Sequence, residues 1–280
     1  MTQFPAQIGI VIPVYGHFDL LEACLRSIIA QEGPAWRAVV VDDGSPEGQA
    51  ADVVAALGDP RIETVRHSVN CGLAASRNTG VKHLTTPWIL PFDGDDLMPT
   101  GALQALWLGA QNPDVDCVFG DLELFGAQSG RLHYVVRPPE TIVTSQWLPG
   151  AGTLMRRAIW ARAGGWSELE IFRLGNEDWD FWLSVAASGP LRAVHVAALT
   201  YRYRRRAESL SLSSMRDNEW QTRMAMVERH AALFARFGGA RAFVWAGVWK
   251  TVRARLRAGQ FRAAFAHWRQ ARGGTRGRLG

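Results

Sequence analysis

Cysteine is scarce in this chain. Of 280 residues only Cys24, Cys71 and Cys117 are cysteine, and they form no C-x-x-C pair. That excludes a zinc ribbon or a disulfide framework; an odd, sparse set fits buried thiols in a reducing cytosol. Long apolar runs are also missing, and none approaches the ~18 residues of a membrane span. The opening MTQFPAQIGIVIPVYG lacks a basic n-region and a small-residue cleavage site, so it does not read as a signal peptide. No internal repeat is present. Cations are thin over residues 1–200, with 13 Lys/Arg against 22 Asp/Glu. Residues 201–280 reverse this, with 18 against 4. The acidic part suits a bound cation; the basic part suits a phosphate-rich surface, anionic lipid or nucleic acid. No nucleic-acid-binding motif accompanies the basic part, and no nucleic acid is expected.

The rest is ordinary globular composition, 48% apolar and 20% charged. It is enough for one large domain or one domain with an appendage. The first 125 residues alternate two periodicities. Buried-type strands are expected at Ile8–Ile12, Ala38–Val41, Ile62–Val65, Trp88–Phe92 and Cys117–Gly120. Helices are expected between them: one carrying Leu21, Cys24, Leu25, Ile28 and Ile29 with Asp19 placed to cap, then 47–57, Leu73–Leu84 and 99–110. Such βαβ alternation predicts an α/β fold with a mostly parallel, Rossmann-like central sheet covered by helices on both faces. Residues 130–150 are irregular, and 150–190 hold Gly-rich turns and one aromatic, acidic helix. Val194–Tyr203 reads as a further strand. Helical patterns follow from Ser214 to Phe237, 241 to 258 and 261 to 272, and the tail GGTRGRLG reads as disordered.

The densest chemistry is PFDGDD at 91–96. Asp93, Asp95 and Asp96 crowd within four residues where a buried strand ends. Oxygen-only ligands on a loop suit Mg²⁺ or Mn²⁺ shared with substrate phosphates; a solvated acidic turn is the alternative. A second acidic pair, Asp42-Asp43, ends the second strand. Ligands of open α/β sheets bind at such carboxyl ends, so both clusters belong to one expected site. Gly150-Ala151-Gly152 lacks the third glycine and preceding strand of a dinucleotide fingerprint. Pro13-Val14-Tyr15-Gly16 is not the Gly-rich, basic loop that a nucleotidyltransferase wants after its first strand.

IPVYGHFDLLEACLRSIIAQ, VVVDDGSPEG, NCGLAASRNTGV, PFDGDD, GGWSE and EDWDFWL occur in the order and at the spacings of family 2 glycosyltransferases of the GT-A fold. The chain resembles that family over roughly residues 7–210. The resemblance implies an inverting transfer of a sugar from a nucleoside-diphosphate sugar, UDP before other nucleotides, to an acceptor hydroxyl in bacterial polysaccharide or glycoconjugate synthesis. The acceptor is a saccharide or lipid-linked saccharide. The resemblance further implies that Pro13, Tyr15, Asp42 and Asp43 line the nucleotide pocket, Asp43 in particular reading the base. Asn70, Gly72 and Arg77 are implied beside the diphosphate or ribose. Asp93 is implied on ribose and metal, and Asp95 on metal with Asp96 assisting. Asp178 is implied as general base, with Glu177 the alternative. Trp160, Trp166, Trp179 and Trp182 are candidates to stack on sugar rings.

One segment departs from the family. Where many relatives have Y-R-x-H-x-x-S, this chain has Tyr201-Arg202-Tyr203-Arg204-Arg205-Arg206, followed by Ser209 and Ser211. Arg204 stands at the His position. It cannot ligate a cation but can grip phosphate oxygens. The expected organisation is a glycosyltransferase domain over 1–212, split into a nucleotide half (1–125) and an acceptor half (126–212). A basic helical extension follows over 213–272, then a tail over 273–280. Val252, Leu256, Phe261, Phe265 and Trp268, set among arginines, fit either packing on the domain or an anionic membrane. The expected location is cytoplasmic, peripheral at the inner face of the membrane. A non-catalytic scaffold on the same fold is the competing reading; it predicts eroded carboxylates, and these are intact.

Overall fold

The structure is a computed structural model, described for residues 6–206 and 210–279. Among these, eight strands form one mixed sheet. The path is β3 (Ile62–Arg66), β2 (Trp36–Asp42), β1 (Ile8–Val14), β4 (Trp88–Pro91), β7 (Leu154–Arg156), β5 (Cys117–Gly126) and β6 (Gly130–Leu132), while β8 (Ala193–Arg205) pairs with β5. β3-β2-β1-β4 and β5-β8 are parallel; β7 and β6 pair antiparallel with their neighbours. β1 is buried along its whole length, as a strand flanked on both edges and covered on both faces must be.

The first helices are α1 (Phe18–Ile29), α2 (Ala50–Leu57), α3 (Leu73–His83) and α4 (Ala102–Gly109). Each expected helix exists, but Asp19 does not cap α1. The N-cap position is His17, in left-handed backbone, and no side chain caps the helix. Gly80 inside α3 has a packing reason: a Cβ there would overlap the Val11 side chain, so the glycine lets α3 lie directly on β1.

Two apolar clusters sandwich the sheet. One joins α1, α2 and α4 to the side chains Ile8, Ile10, Ile12, Val40 and Leu90. The other joins α3 and α6 (Glu177–Ser188) to the C-terminal helices α7 (Leu210–Arg229), α8 (Ala231–Phe237), α9 (Ala240–Arg257) and α10 (Phe261–Thr275). A 3₁₀ turn, Pro139–Val143, lies in the stretch read as irregular, and a short helix, α5 (Arg157–Ala163), and a second 3₁₀ turn, Glu170–Leu174, precede α6 where Gly-rich turns were expected. The C-terminal helices are bolted to α6. Asn176 donates to the Thr222 hydroxyl at 2.7 Å, and Asp180 accepts from Arg229 and His230 at 3.0 and 2.9 Å. The disordered-tail expectation is corrected over its first residues. α10 continues through Gly273-Gly274 to Thr275, which is buried, because Gly274 lies directly against the Trp220 ring. Ser209 lies outside the described residues.

Candidate active site

Three elements deliver carboxylates to the carboxyl edge of the sheet: the β2–α2 loop, the β4–α4 loop and the start of α6. Their environments differ.

Asp42 and Asp43 are buried and fully engaged. Asp42 accepts from the amides of Ser45 (3.0 Å) and Ala50 (3.4 Å) and pairs with Arg66 at 2.5 Å. Burial alone would raise its pKa, but the Ser45 and Ala50 hydrogen bonds and the Arg66 charge outweigh that and hold it below the usual carboxylate range. Asp43 accepts from the amides of Cys71 and Gly72, each at 2.8 Å, and from His67 Nδ1 at 2.8 Å. It therefore satisfies the N-terminus of α3, the place where a phosphate was expected. Asp43, His67 and Cys71 bring ligand atoms within 4.8 Å of one another, yet His67 is already bonded through both nitrogens, to Asp43 and to Thr79. Asn70 is exposed and held by Arg173 through its carbonyl (3.0 Å) and side-chain oxygen (2.6 Å). Pro13 is buried at the end of β1, its carbonyl against Gly94, while Tyr15 is 51% exposed on the loop beyond.

The β4–α4 loop is under-neutralised. Asp93 and Asp95 stay partly open, with side chains 28% and 26% exposed. Burial and then the neighbouring Asp93 push Asp95 above the usual carboxylate range, against the lowering by Arg206 and Arg204. Asp96 is pushed up to about 8, by burial first and then by Asp93 and Asp95. Its oxygens face inward, accepting from the Tyr201 hydroxyl and the Arg204 amide, each at 2.6 Å. The expectation that Asp96 assists a metal is corrected: fully buried and doubly bonded, it anchors the loop to β8. The two partly open carboxylates, Asp93 and Asp95, are all-oxygen donors on a loop and fit a hard divalent cation.

Arg77 links this loop to α6. It is 2% exposed and bridges Asp93 (3.0 Å) and Glu177 (2.9 Å). Burial disfavours its charge, but Asp93, Glu177 and Asp178 hold it firmly protonated. It is thus an internal clamp rather than an arm reaching outward. Glu177 is pushed up to about 7 by burial and then by Asp178, with Arg77 opposing. Asp178 is more open and is placed by contacts the sequence did not signal. Gln146 donates to its Oδ2 at 2.7 Å, and the Trp179 amide donates to Oδ1 at 2.8 Å. Gly150 explains its own identity here, because a Cβ would overlap the Asp178 carboxylate.

The tryptophans are mainly packing. Trp166, Trp179 and Trp182 are buried in the second core, and the Trp160 indole N–H donates to Asn78. Asn78 binds the Gly165-Trp166 turn through the Trp166 amide and carbonyl and also reaches Glu168. Arg204 does not point its charge at Asp95's carboxylate. Its Nε donates to the Asp95 carbonyl at 2.7 Å, and its guanidinium lies over Phe125. The carboxylate partner is Arg206, at 2.9 Å. In the sequence Arg206 is one member of an arginine run, with nothing to single it out.

A mixed sheet with acidic loops at its carboxyl edge and an acidic helix start facing them is the GT-A glycosyltransferase class of architecture. Comparison with known proteins agrees. The profile of Glycosyl transferase family 2 matches residues 9–199, and the chain belongs to that family. It is 30% identical over 197 residues to the uncharacterized protein MT1568 of Mycobacterium tuberculosis, covering 63% of this chain and 60% of that one. It is 22% identical over 230 residues to the Escherichia coli UDP-Glc:alpha-D-GlcNAc-diphosphoundecaprenol beta-1,3-glucosyltransferase WfgD, covering 80% and 88%. The fold matches the Pyrobaculum calidifontis mannosyltransferase PcManGT, solved with GDP-Man and Mn²⁺, at a TM-score of 0.62 and 18% identity over 98% of this chain and 81% of that one. The chain spans only about three fifths of MT1568's length. No helix among the described residues is long and apolar enough to cross a membrane.

Proposed function

We propose that this protein is an inverting glycosyltransferase that moves a sugar from a nucleoside-diphosphate sugar to an acceptor hydroxyl. The carrying observation is the Arg77 clamp, which ties Asp93 on the metal-type loop to Glu177, next to Asp178. One residue thereby holds the carboxylate read on the donor side and the one beside the proposed base. Asp93 and Asp95 would hold Mn²⁺ or Mg²⁺, which when bound neutralises charge on the departing diphosphate. Asp178, directed by Gln146 and the Trp179 amide, takes the proton from the acceptor hydroxyl as that oxygen attacks the anomeric carbon. The bond to the nucleoside diphosphate breaks as the new glycosidic bond forms, and a single displacement inverts the configuration. Glu177, paired with Arg77, positions rather than abstracts. Tyr15 and the Asp42–Asp43 loop frame the base pocket.

UDP is the first donor base to try, since WfgD's name specifies UDP-Glc; PcManGT's GDP-Man makes GDP the control. A lipid-linked saccharide acceptor is favoured by WfgD's diphosphoundecaprenol substrate. The exposed Trp249, Leu256, Phe261 and Phe265, set among exposed Arg253, Arg257, Arg262, Arg269 and Arg272, fit a cytoplasmic anionic membrane face. Val252, by contrast, is buried packing.

Donor hydrolysis and transfer, assayed with and without Mn²⁺, test the enzyme reading. Asp178→Asn should retain donor binding and lose roughly 10²-fold or more in transfer. Near-normal transfer by this variant, with Glu177→Gln dead, would reverse the two roles. Vesicle co-sedimentation tests the membrane: binding to anionic vesicles should fall at high salt and in a Phe261→Ser/Phe265→Ser variant.

A further inference from the structure

Two arginines around the acidic loop keep a buried N–H with no partner among the described residues: the Nε of Arg77 and the Nε of Arg206. Buried guanidinium donors are rarely left unmatched, and each such atom calls for an explanation. Arg77 has one in its double ion pair with Asp93 and Glu177. Arg206 has none of that kind. It makes one ion pair, from Nη2 to Asp95 Oδ2, and its side chain is 33% exposed at the end of β8. It thus sits on the carboxylate that the divalent cation needs, with a donor to spare. β8 is fixed here by the reciprocal Leu97–Arg202 backbone pair at 2.9 and 3.0 Å and by the bond from the Arg204 amide to Asp96. Arg206 is therefore held beside the loop, with its side chain partly open to solvent. One carboxylate facing two cations is a competition, and a guanidinium displaced from a carboxylate is a strong bidentate donor for phosphate oxygens.

Resting on the reading of Asp95 as a metal ligand, we propose that Arg206 is an exchangeable counter-ion. It neutralises Asp95 in the empty site and passes to the donor's diphosphate when a divalent cation takes Asp95. No bond is made or broken in this exchange; one ion pair is replaced by two. Arg206 then does at the leaving group what the sequence assigned to Arg204.

The competition makes the two halves of the exchange respond with opposite sign. Mn²⁺ alone, and then UDP and GDP in saturating Mn²⁺, are titrated by calorimetry into the full chain and into Arg206→Ala, Arg206→Lys and Asp95→Ala. Arg206→Ala should bind Mn²⁺ alone about two- to fivefold tighter, the scale of a partly exposed ion pair. It should bind the preferred nucleoside diphosphate about tenfold or more weakly, the scale of a lost charge-assisted contact. The parent nucleoside should be unaffected. Arg206→Lys, which keeps the charge without the fork, should restore wild-type Mn²⁺ affinity and only part of the diphosphate affinity. Unchanged or weaker Mn²⁺ binding in Arg206→Ala, with Asp95→Ala losing Mn²⁺, overturns the exchange and leaves the metal reading standing. Mn²⁺ binding that survives Asp95→Ala overturns the metal reading itself.

Discussion

The two acidic strand ends of this protein have similar sequences and opposite electrostatics. At 42–43 both carboxylates have donors, from backbone amides, Arg66 and His67, and Asp42 is held ionised below its usual range. At 93–96 three carboxylates pair with two cations, Arg77 and Arg206, of which Arg77 is shared with Glu177, and Asp95 and Asp96 are pushed the other way. A carboxylate ringed by amides is a finished structural part. A carboxylate crowded by others has a charge deficit that a cation corrects. On the function proposed above, the first cluster walls the nucleotide site and the second holds the cation.

The largest expected effect separates the two directly. Asp95→Ala should abolish divalent-dependent turnover and weaken Mn²⁺-dependent nucleotide binding in titration calorimetry, yet change folding stability by only about 1 kcal/mol or less, since its partner Arg206 is partly exposed. Undiminished metal dependence would remove the distinction.

Asp43→Ala should do the reverse. It strips the acceptor from the Cys71 and Gly72 amides and from His67, and about 3 kcal/mol of stability should go with it in urea melts. A loss below about 1 kcal/mol would mean that water replaces the carboxylate and that the pocket wall is not preformed.

pH dependence sharpens the contrast. Asp42 has a lowered folded-state pKa, so its stabilisation is complete above the unfolded value of about 3.9 and is lost as pH falls through the lowered one. Asp96 has a raised one, so between about 3.9 and about 8 the unfolded chain has released a proton that the folded chain keeps. Its contribution therefore falls as pH rises through that window. Asp96→Asn, which keeps an acceptor for Tyr201 and the Arg204 amide, should flatten this part of the metal-free stability profile. An unchanged slope in denaturant midpoints between pH 5 and pH 8 would assign the slope elsewhere.

The smallest effect is expected at Arg204. Its guanidinium rests on Phe125 and the Asp95 carbonyl, so Arg204→Ala should raise the Kd for nucleoside diphosphate only a few-fold, about 1 kcal/mol or less. A loss larger than that of Arg206→Ala would return the phosphate-gripping role to Arg204.

What the sequence disclosed follows from separation along the chain. β1, β2 and β4 were legible because strands buried on both faces are continuous apolar runs. β6 and β7 were not, because three residues carry no period, and β7 joins the sheet only by slotting between β4 and β5. The carboxylates were legible because they cluster locally. Their partners were not: Gln146 lies 32 residues from Asp178, Arg77 100 from Glu177, and Tyr201 105 from Asp96. No window of sequence brings such pairs together. Gly150 did stand out as a glycine, but its reason, room for the Asp178 carboxylate, exists only in three dimensions.

The bolting of α6 to the C-terminal helices has a consequence for the order in which the enzyme can mature. Trp179, next to Asp178, packs edge-on against Phe243, 64 positions later, and Asp180 relies on Arg229 and His230. The Asp93–Asp96 loop waits in the same way for Tyr201 and the Arg204 amide of β8, which anchor Asp96, so neither the acidic loop nor the acidic helix start is finished until the C-terminal part has been made. Donor binding and sugar transfer should therefore appear together and late in synthesis, which keeps a partly made chain from acting on a donor at all.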